Sequence, residues 1–87
     1  MTIKEMFKAL ETAEAEMDII DAKYDENPED EEIEAAWTKA YQKENEAFMD
    51  VVNEIVKMTN GQIDNKTAAM MMRAKRKEIK SLIERMA

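Results

Sequence analysis

The chain contains no cysteine and no histidine, and only one glycine and one proline occur in its 87 residues. Without cysteine there are no disulfide bonds, and without histidine the commonest general base and metal ligand is missing. A single glycine cannot build a phosphate-binding loop. A di-metal bundle of the usual kind needs Glu-x-x-His pairs, which are also absent. The sequence therefore predicts a non-enzymatic protein without a catalytic site, metal or cofactor.

Long apolar runs are missing as well. The longest is the five-residue run Ala68–Met72, far below the roughly 20 residues that span a bilayer. Residues 1–15 contain charged side chains throughout, which is not typical of a signal-peptide core. We therefore expect a cytoplasmic protein without a membrane partner.

The composition that remains favours helices. Charged residues make up 38% of the chain, and alanine, glutamate, lysine and methionine are abundant. The glycine and the proline fall between periodic segments, which predicts helices at about residues 3–25, 28–59 and 65–86. We expect one all-α domain, either a three-helix bundle or a helical hairpin plus a third helix, with a long central helix.

The first predicted helix has a start signal and a continuous apolar stripe. Thr2 and Glu5 have the spacing of a capping box, in which each residue satisfies the other's backbone N–H. Apolar residues then recur every three or four positions: Ile3, Met6, Leu10, Ala13, Met17, Ile20 and Tyr24. This stripe is expected to pack against the central helix.

The central helix is predicted to begin with Asn27 as N-cap and Pro28 at the first helical position, and to end at Asn60-Gly61. Its middle, residues 42–46, is polar on every side, which indicates either a bend or an apolar stripe shared between neighbours. The helix is longer than either neighbour, so each end lacks one packing partner. A second copy of the chain would supply it, and we expect a homodimer.

Charge is distributed unevenly. Residues 1–61 contain six basic and seventeen acidic residues, whereas residues 62–87 contain seven basic and three acidic ones. On the third helix the basic side chains line up as a basic ridge: Lys66, Arg73, Arg76, Lys77 and Lys80. The favoured interpretation is that the basic ridge pairs with the acidic first and second helices, either within the bundle or across a dimer. Contact with nucleic acid is the second hypothesis, although the net charge of −7 opposes it.

Carboxylates concentrate around the first connection, with seven in the ten residues 25–34. A calcium loop is disfavoured because its central glycine and its ligand spacing are missing. The proposed partner-binding residues form an acidic surface: Asp18, Asp21, Asp25, Glu26, Glu29, Asp30, Glu31 and Glu32. Dense carboxylates resemble a phosphate backbone, so this surface is suited to a basic, nucleic-acid-binding site on a protein partner. The alternative is a solvated face that keeps a small protein soluble. By composition alone, small acidic inhibitors from phages and other mobile elements offer an analogy.

Three further residues are interface candidates. Trp37 is the single tryptophan, and Met70 and Met71 belong to a run of three methionines that cannot all face the core. Glu44 lies on the apolar stripe between Tyr41 and Phe48, where burial would raise its pKa. For Glu44 we favour a position at the helix edge or a pairing with lysine.

Overall fold

The computed structural model describes residues 1–86, and in that range the chain forms α-helices and no β-strand. The helices are α1 (Ile3–Glu26), α2 (Glu31–Met58), α3 (Asn65–Ala74) and α4 (Arg76–Arg85). The all-helical prediction is confirmed. The predicted third helix, however, is two helices.

The N-terminus of α1 has the predicted capping box. The Glu5 backbone N–H donates to the Thr2 hydroxyl at 3.2 Å, and the Thr2 backbone N–H donates to the Glu5 carboxylate at 3.0 Å. The last turn of α2 is closed as expected by Asn60 and Gly61, which adopt left-handed φ values of 55° and 78°. The Gly61 N–H donates to the Val56 carbonyl at 3.0 Å, so the chain leaves α2 by a tight turn.

The predicted start of the central helix is corrected. Asn27 closes α1 instead, with its backbone N–H directed at the carbonyls of Lys23 and Tyr24. The N-cap of α2 is Asp30, whose carboxylate accepts from the N–H groups of Glu32 and Ile33. The residue before a proline avoids helical geometry, and a carboxylate is favoured at the positive end of a helix dipole. For these reasons α2 begins three residues later than predicted.

Helices α1 and α2 form an antiparallel hairpin. From Glu16 to Asp21 along α1, the contacted residue on α2 moves back from Lys43, in an ion pair at 3.2 Å, to Trp37, in a hydrogen bond at 2.5 Å. Helix α2 is 28 residues long, about 42 Å, and the molecule measures 45 × 23 × 23 Å. The hairpin therefore spans the whole length of the protein.

The break at Lys75 separates α3 from α4, with φ −128° and ψ 38° at that residue. Helix α3 packs on α2 and α4 packs on α1, each antiparallel to its neighbour. Because α1 and α2 run in opposite directions, the chain must change direction between α3 and α4. A straight helix over 65–86 would follow α2 alone and leave Ile79 and Ile83 without their present burial.

The core lies at one end of the hairpin, where all four helices meet. Its buried residues are Ile3, Phe7, Leu10, Val51, Val52, Ala68, Met72, Ile79 and Ile83. Helices α3 and α4 form a layer on the hairpin, and this layer contacts the hairpin as far along as Glu14 on α1 and Phe48 on α2. Residues 18–44 extend beyond these contacts, and we call this part of the hairpin the arm.

Candidate partner-binding surfaces

Near the core, α3 and α4 cover one face of the hairpin. The same face continues uncovered along one side of the arm. This acidic-aromatic face consists of Asp18, Asp21, Tyr24, Trp37, Tyr41 and Glu44. The three rings form a ladder, with Tyr24 and Trp37 centroids 5.9 Å apart and Trp37 and Tyr41 centroids 5.4 Å apart and nearly parallel. Tyr41 is 52% exposed, whereas Tyr24 and Trp37 are half-buried. The ladder thus leaves part of its aromatic surface, mainly that of Tyr41, open to solvent.

Carboxylates border this ladder. The Trp37 indole N–H donates to Asp21, which holds the ring against α1. Burial raises the pKa of the half-buried Glu44 carboxyl above its usual value, and the nearby charges of Glu14, Asp18 and Asp21 raise this pKa further. A neighbouring cation would be attracted by all of these groups. Glu44 makes no ion pair with the described residues, so of the two settings favoured from the sequence, a helix edge or a pairing with lysine, the lysine pairing is not observed.

The acidic surface predicted from the sequence is exposed at every position, from Asp18 and Asp21 on α1 to Glu31 and Glu32 at the start of α2. It therefore occupies the last turns of α1, the connection and the first turn of α2. Asp30 uses its carboxylate as the N-cap and Asp21 uses its carboxylate on Trp37. The remaining members are Asp18, Asp25, Glu26, Glu29, Glu31 and Glu32.

Some residues of the basic ridge form ion pairs within the chain, and the others are exposed. Arg76 pairs with Glu14, and Lys80 pairs with Glu11 at 2.7 Å. The hydrogen bond to Glu11 raises the pKa of the Lys80 ammonium. Within residues 1–86, Lys66, Arg73 and Lys77 are exposed and form no ion pair. Two of the five residues proposed for nucleic acid contact thus face an acidic helix of the same chain.

Two arginines of this layer also lie over aromatic rings of the hairpin. The Arg73 guanidinium is 5.4 Å from the Phe48 centroid, and the Arg76 guanidinium is 5.0 Å from the Phe7 centroid. The Arg76–Phe7 contact was not expected from the sequence, because Phe7 lies one position outside the apolar stripe predicted for α1. The three- and four-residue spacing of Phe7 with Ile3 and Leu10 was the available signal.

An open cleft of about 690 Å³ lies between the α3–α4 bend and the arm. Glu11, Glu14 and Glu44 line its hairpin side, and cations of the basic ridge line the opposite side. Tyr41 and Phe48 contribute apolar surface. The cleft therefore has an acidic wall and a basic wall, which the ion pairs of Arg76 and Lys80 join. Among the described residues, no group of three or more acidic side chains is arranged to hold a metal ion.

The three consecutive methionines of α3 differ in how deeply they are buried. Met72 is fully buried, Met71 is half-buried and Met70 is 58% exposed. Met70 thus lies on the outer side of α3, whereas Met71 packs against the core cluster. None of the helices in residues 1–86 is both long and apolar enough to cross a membrane.

Comparisons with protein-family models, with curated proteins and with solved structures found no match to this chain.

Proposed function

We propose that this protein is a non-enzymatic binding module that docks its acidic surface on a basic surface of a protein partner. The observation that carries the proposal is the exposure of the acidic surface at one end of a two-helix hairpin. The end of α1, the short connection and the start of α2 bring these carboxylates together. A cluster of charges of one sign steers association with an oppositely charged surface. The absence of histidine and cysteine from the sequence supports binding over catalysis.

The partner surface that best fits such a cluster is one that normally binds nucleic acid. Carboxylates such as Glu29, Glu31 and Glu32 present negative charge at short intervals, as phosphates do along a nucleic acid strand. A module of this kind would compete with the nucleic acid and so act as an inhibitor. Small acidic inhibitors from phages and mobile elements remain an analogy by composition.

Photo-crosslinking in the native host tests this role. A crosslinking amino acid replaces Glu26 at the hairpin end or, as the control, Lys66 on α3, where the side chain is also exposed. We expect a protein to be captured from position 26 and not from position 66. Capture from position 66 alone, or of nucleic acid in place of protein, would overturn the proposal.

Charge neutralisation then tests the mechanism on the captured partner. The double variant Glu31→Gln/Glu32→Gln should slow association and weaken its salt dependence. The matched control Glu46→Gln/Asp50→Asn also removes two charges, at exposed positions on the outer side of α2. Equal effects of the two variants would show that net charge, and not the acidic surface, governs binding.

The second candidate is contact with nucleic acid through Lys66, Arg73 and Lys77, which are exposed and free of ion pairs in the described part of the chain. The pairing of Arg76 and Lys80 with α1 weakens this candidate. Titration of a short DNA or RNA duplex at low salt separates the two. Binding that falls steeply with salt, and that is lost in Arg73→Gln/Lys77→Gln, would favour the second candidate.

We also propose that the protein is a homodimer that pairs through the side of the arm opposite the acidic-aromatic face. That side has a shallow, mainly apolar depression lined by Ile20, Ala36 and Ala40, with Glu16, Lys39 and Lys43 at its edges. Acidic and basic side chains occur together there, so two copies can face each other without like-charge repulsion. The charged groups of the acidic-aromatic face are all carboxylates, so this face would repel a second copy of itself.

A further inference from the structure

The hairpin face that includes the acidic-aromatic face is already covered along half its length by a basic layer of the same chain. In the covered half, Arg73 and Arg76 lie over Phe48 and Phe7, and Arg76 and Lys80 pair with Glu14 and Glu11. The contact chemistry is thus an arginine over each aromatic ring and a cation on each nearby carboxylate. Ile79 and Ile83 of α4 add buried apolar contacts.

The uncovered half of the face offers the same kinds of group, aromatic rings and carboxylates, but the basic layer does not extend over it. Trp37 and Tyr41 supply the rings, and Asp18 and Glu44 supply the carboxylates. Among the described residues, only Phe7 and Phe48 have an arginine over their rings, so the faces of the ladder carry no cation. A half-buried indole and a 52% exposed tyrosine leave apolar area for a second element to cover.

We infer that the acidic-aromatic face binds a basic amphipathic helix of the partner protein, laid end to end with the α3–α4 layer. This inference rests on the proposed role as a protein-binding module and adds the chemistry of the partner. Arginine and lysine side chains of that helix stack on Trp37 and Tyr41 and pair with Asp18 and Glu44. Its apolar side chains cover the rest of the ladder.

The dimensions of the face define the length of this helix. Along α2 the face runs from Trp37 to Glu44, with acidic residues continuing to Glu34, which is about 15 Å of helix. About three turns of a partner helix cover that distance. The exposed cations Arg73 and Lys77 stand at the far edge of the cleft, so the basic stretch of the partner ends before it reaches them.

Trp37 allows a direct test, because it is the single tryptophan of the chain and lies in the middle of the face. The probe is a tryptophan-free amphipathic peptide of about 14 residues, made of leucine, lysine and arginine. A peptide of the same composition in an order without a helical apolar face is the control. We expect the amphipathic peptide to shift the Trp37 emission saturably, and the control peptide to bind at least about tenfold more weakly.

Matched variants locate the binding. Asp18→Asn/Glu44→Gln removes two carboxylates of the face, whereas Asp50→Asn/Glu46→Gln removes two from the outer side of α2. We expect affinity for the amphipathic peptide to fall roughly tenfold in the first variant and less than about twofold in the second. Calorimetry provides a second readout that does not depend on Trp37. Equal losses in both variants, or equal affinity for both peptides, would overturn the inference.

The remaining outcomes separate this inference from the proposed function. If neither peptide binds while crosslinking at position 26 still captures a protein, the helix inference fails and the acidic-surface proposal stands. If dilution of the protein alone shifts the Trp37 emission together with a change from dimer to monomer mass, a second copy occupies the face and the inference also fails. If crosslinking captures no protein, the proposed function fails first.

Discussion

The replacement Leu10→Ala tests whether the core lies where all four helices meet. Leu10 is fully buried, in one cluster with Phe7, Val51, Val52 and Met72. The change removes three carbon atoms, worth about 2.4 kcal/mol at ~0.8 kcal/mol for each buried carbon. The residual cavity adds to this, and we expect a total loss of about 3 to 4 kcal/mol.

That loss is large for a chain of this size, whose stability is about 4 to 13 kcal/mol at the usual ~0.05 to 0.15 kcal/mol per residue. Each kcal/mol lowers the melting temperature of a domain this small by about 4 to 8 °C, so Leu10→Ala should lower it by about 12 to 30 °C. Urea unfolding followed by circular dichroism at 222 nm measures the free energy, with an unchanged slope as the sign of an intact two-state transition.

The matched control is Ile19→Ala on the same helix. It also removes three carbon atoms, but Ile19 is 59% exposed on the outer side of α1. Its cost should stay within about 0.5 kcal/mol. Leu10→Met, which conserves volume, should cost less than about 1.5 kcal/mol. A loss below about 1 kcal/mol for Leu10→Ala, or equal losses at both positions, would refute the assignment of the core.

Three other predictions concern the arm. Trp37→Ala should cost about 2 kcal/mol in urea unfolding, below the roughly 3 to 5 kcal/mol of a fully buried aromatic, because the ring is half-buried; no loss would mean that the ladder does not form in solution. Glu44→Gln should stabilise the protein at neutral pH, because the raised pKa of Glu44 means that folding disfavours its ionised form. The gain in stability should shrink as the pH falls through the folded-state pKa of Glu44 and vanish below the ordinary pKa of 4.5. A difference in stability that does not change with pH would contradict this cause. Light scattering at micromolar concentration should give twice the chain mass of 10.1 kDa for the wild type and the single mass for Ala40→Glu, and a wild-type monomer would disprove the dimer.

Local signals in the sequence located two helix ends correctly. The capping box at Thr2 and Glu5 and the Asn60-Gly61 turn each depend on residues within a few positions of one another. The start of α2 was misplaced because Asn27 is equally suited to end one helix and to begin the next. The nearby carboxylate of Asp30 decided between these two uses.

Only the tertiary structure shows which charged residues of the candidate surfaces pair within the chain and which stay exposed. Sequence spacing placed Arg73, Arg76, Lys77 and Lys80 on one basic ridge, but it held no information on which of them would meet a carboxylate of α1. Pairing of Arg76 and Lys80 follows from the route of α4 back along α1. The aromatic ladder joins Tyr24 to Trp37 and Tyr41 across the hairpin, a contact between residues distant in sequence.

The sequence by itself determined the helical class, the apolar stripes and the concentration of carboxylates at residues 25–34, because these depend on local preferences and on periodicity. The tertiary structure decided the turn at Lys75, the position of the core at one end and the uncovered face of the arm. These features depend on how much surface each helix buries against the others, and residues 65–86 have the same apolar period whether they form one straight helix or two.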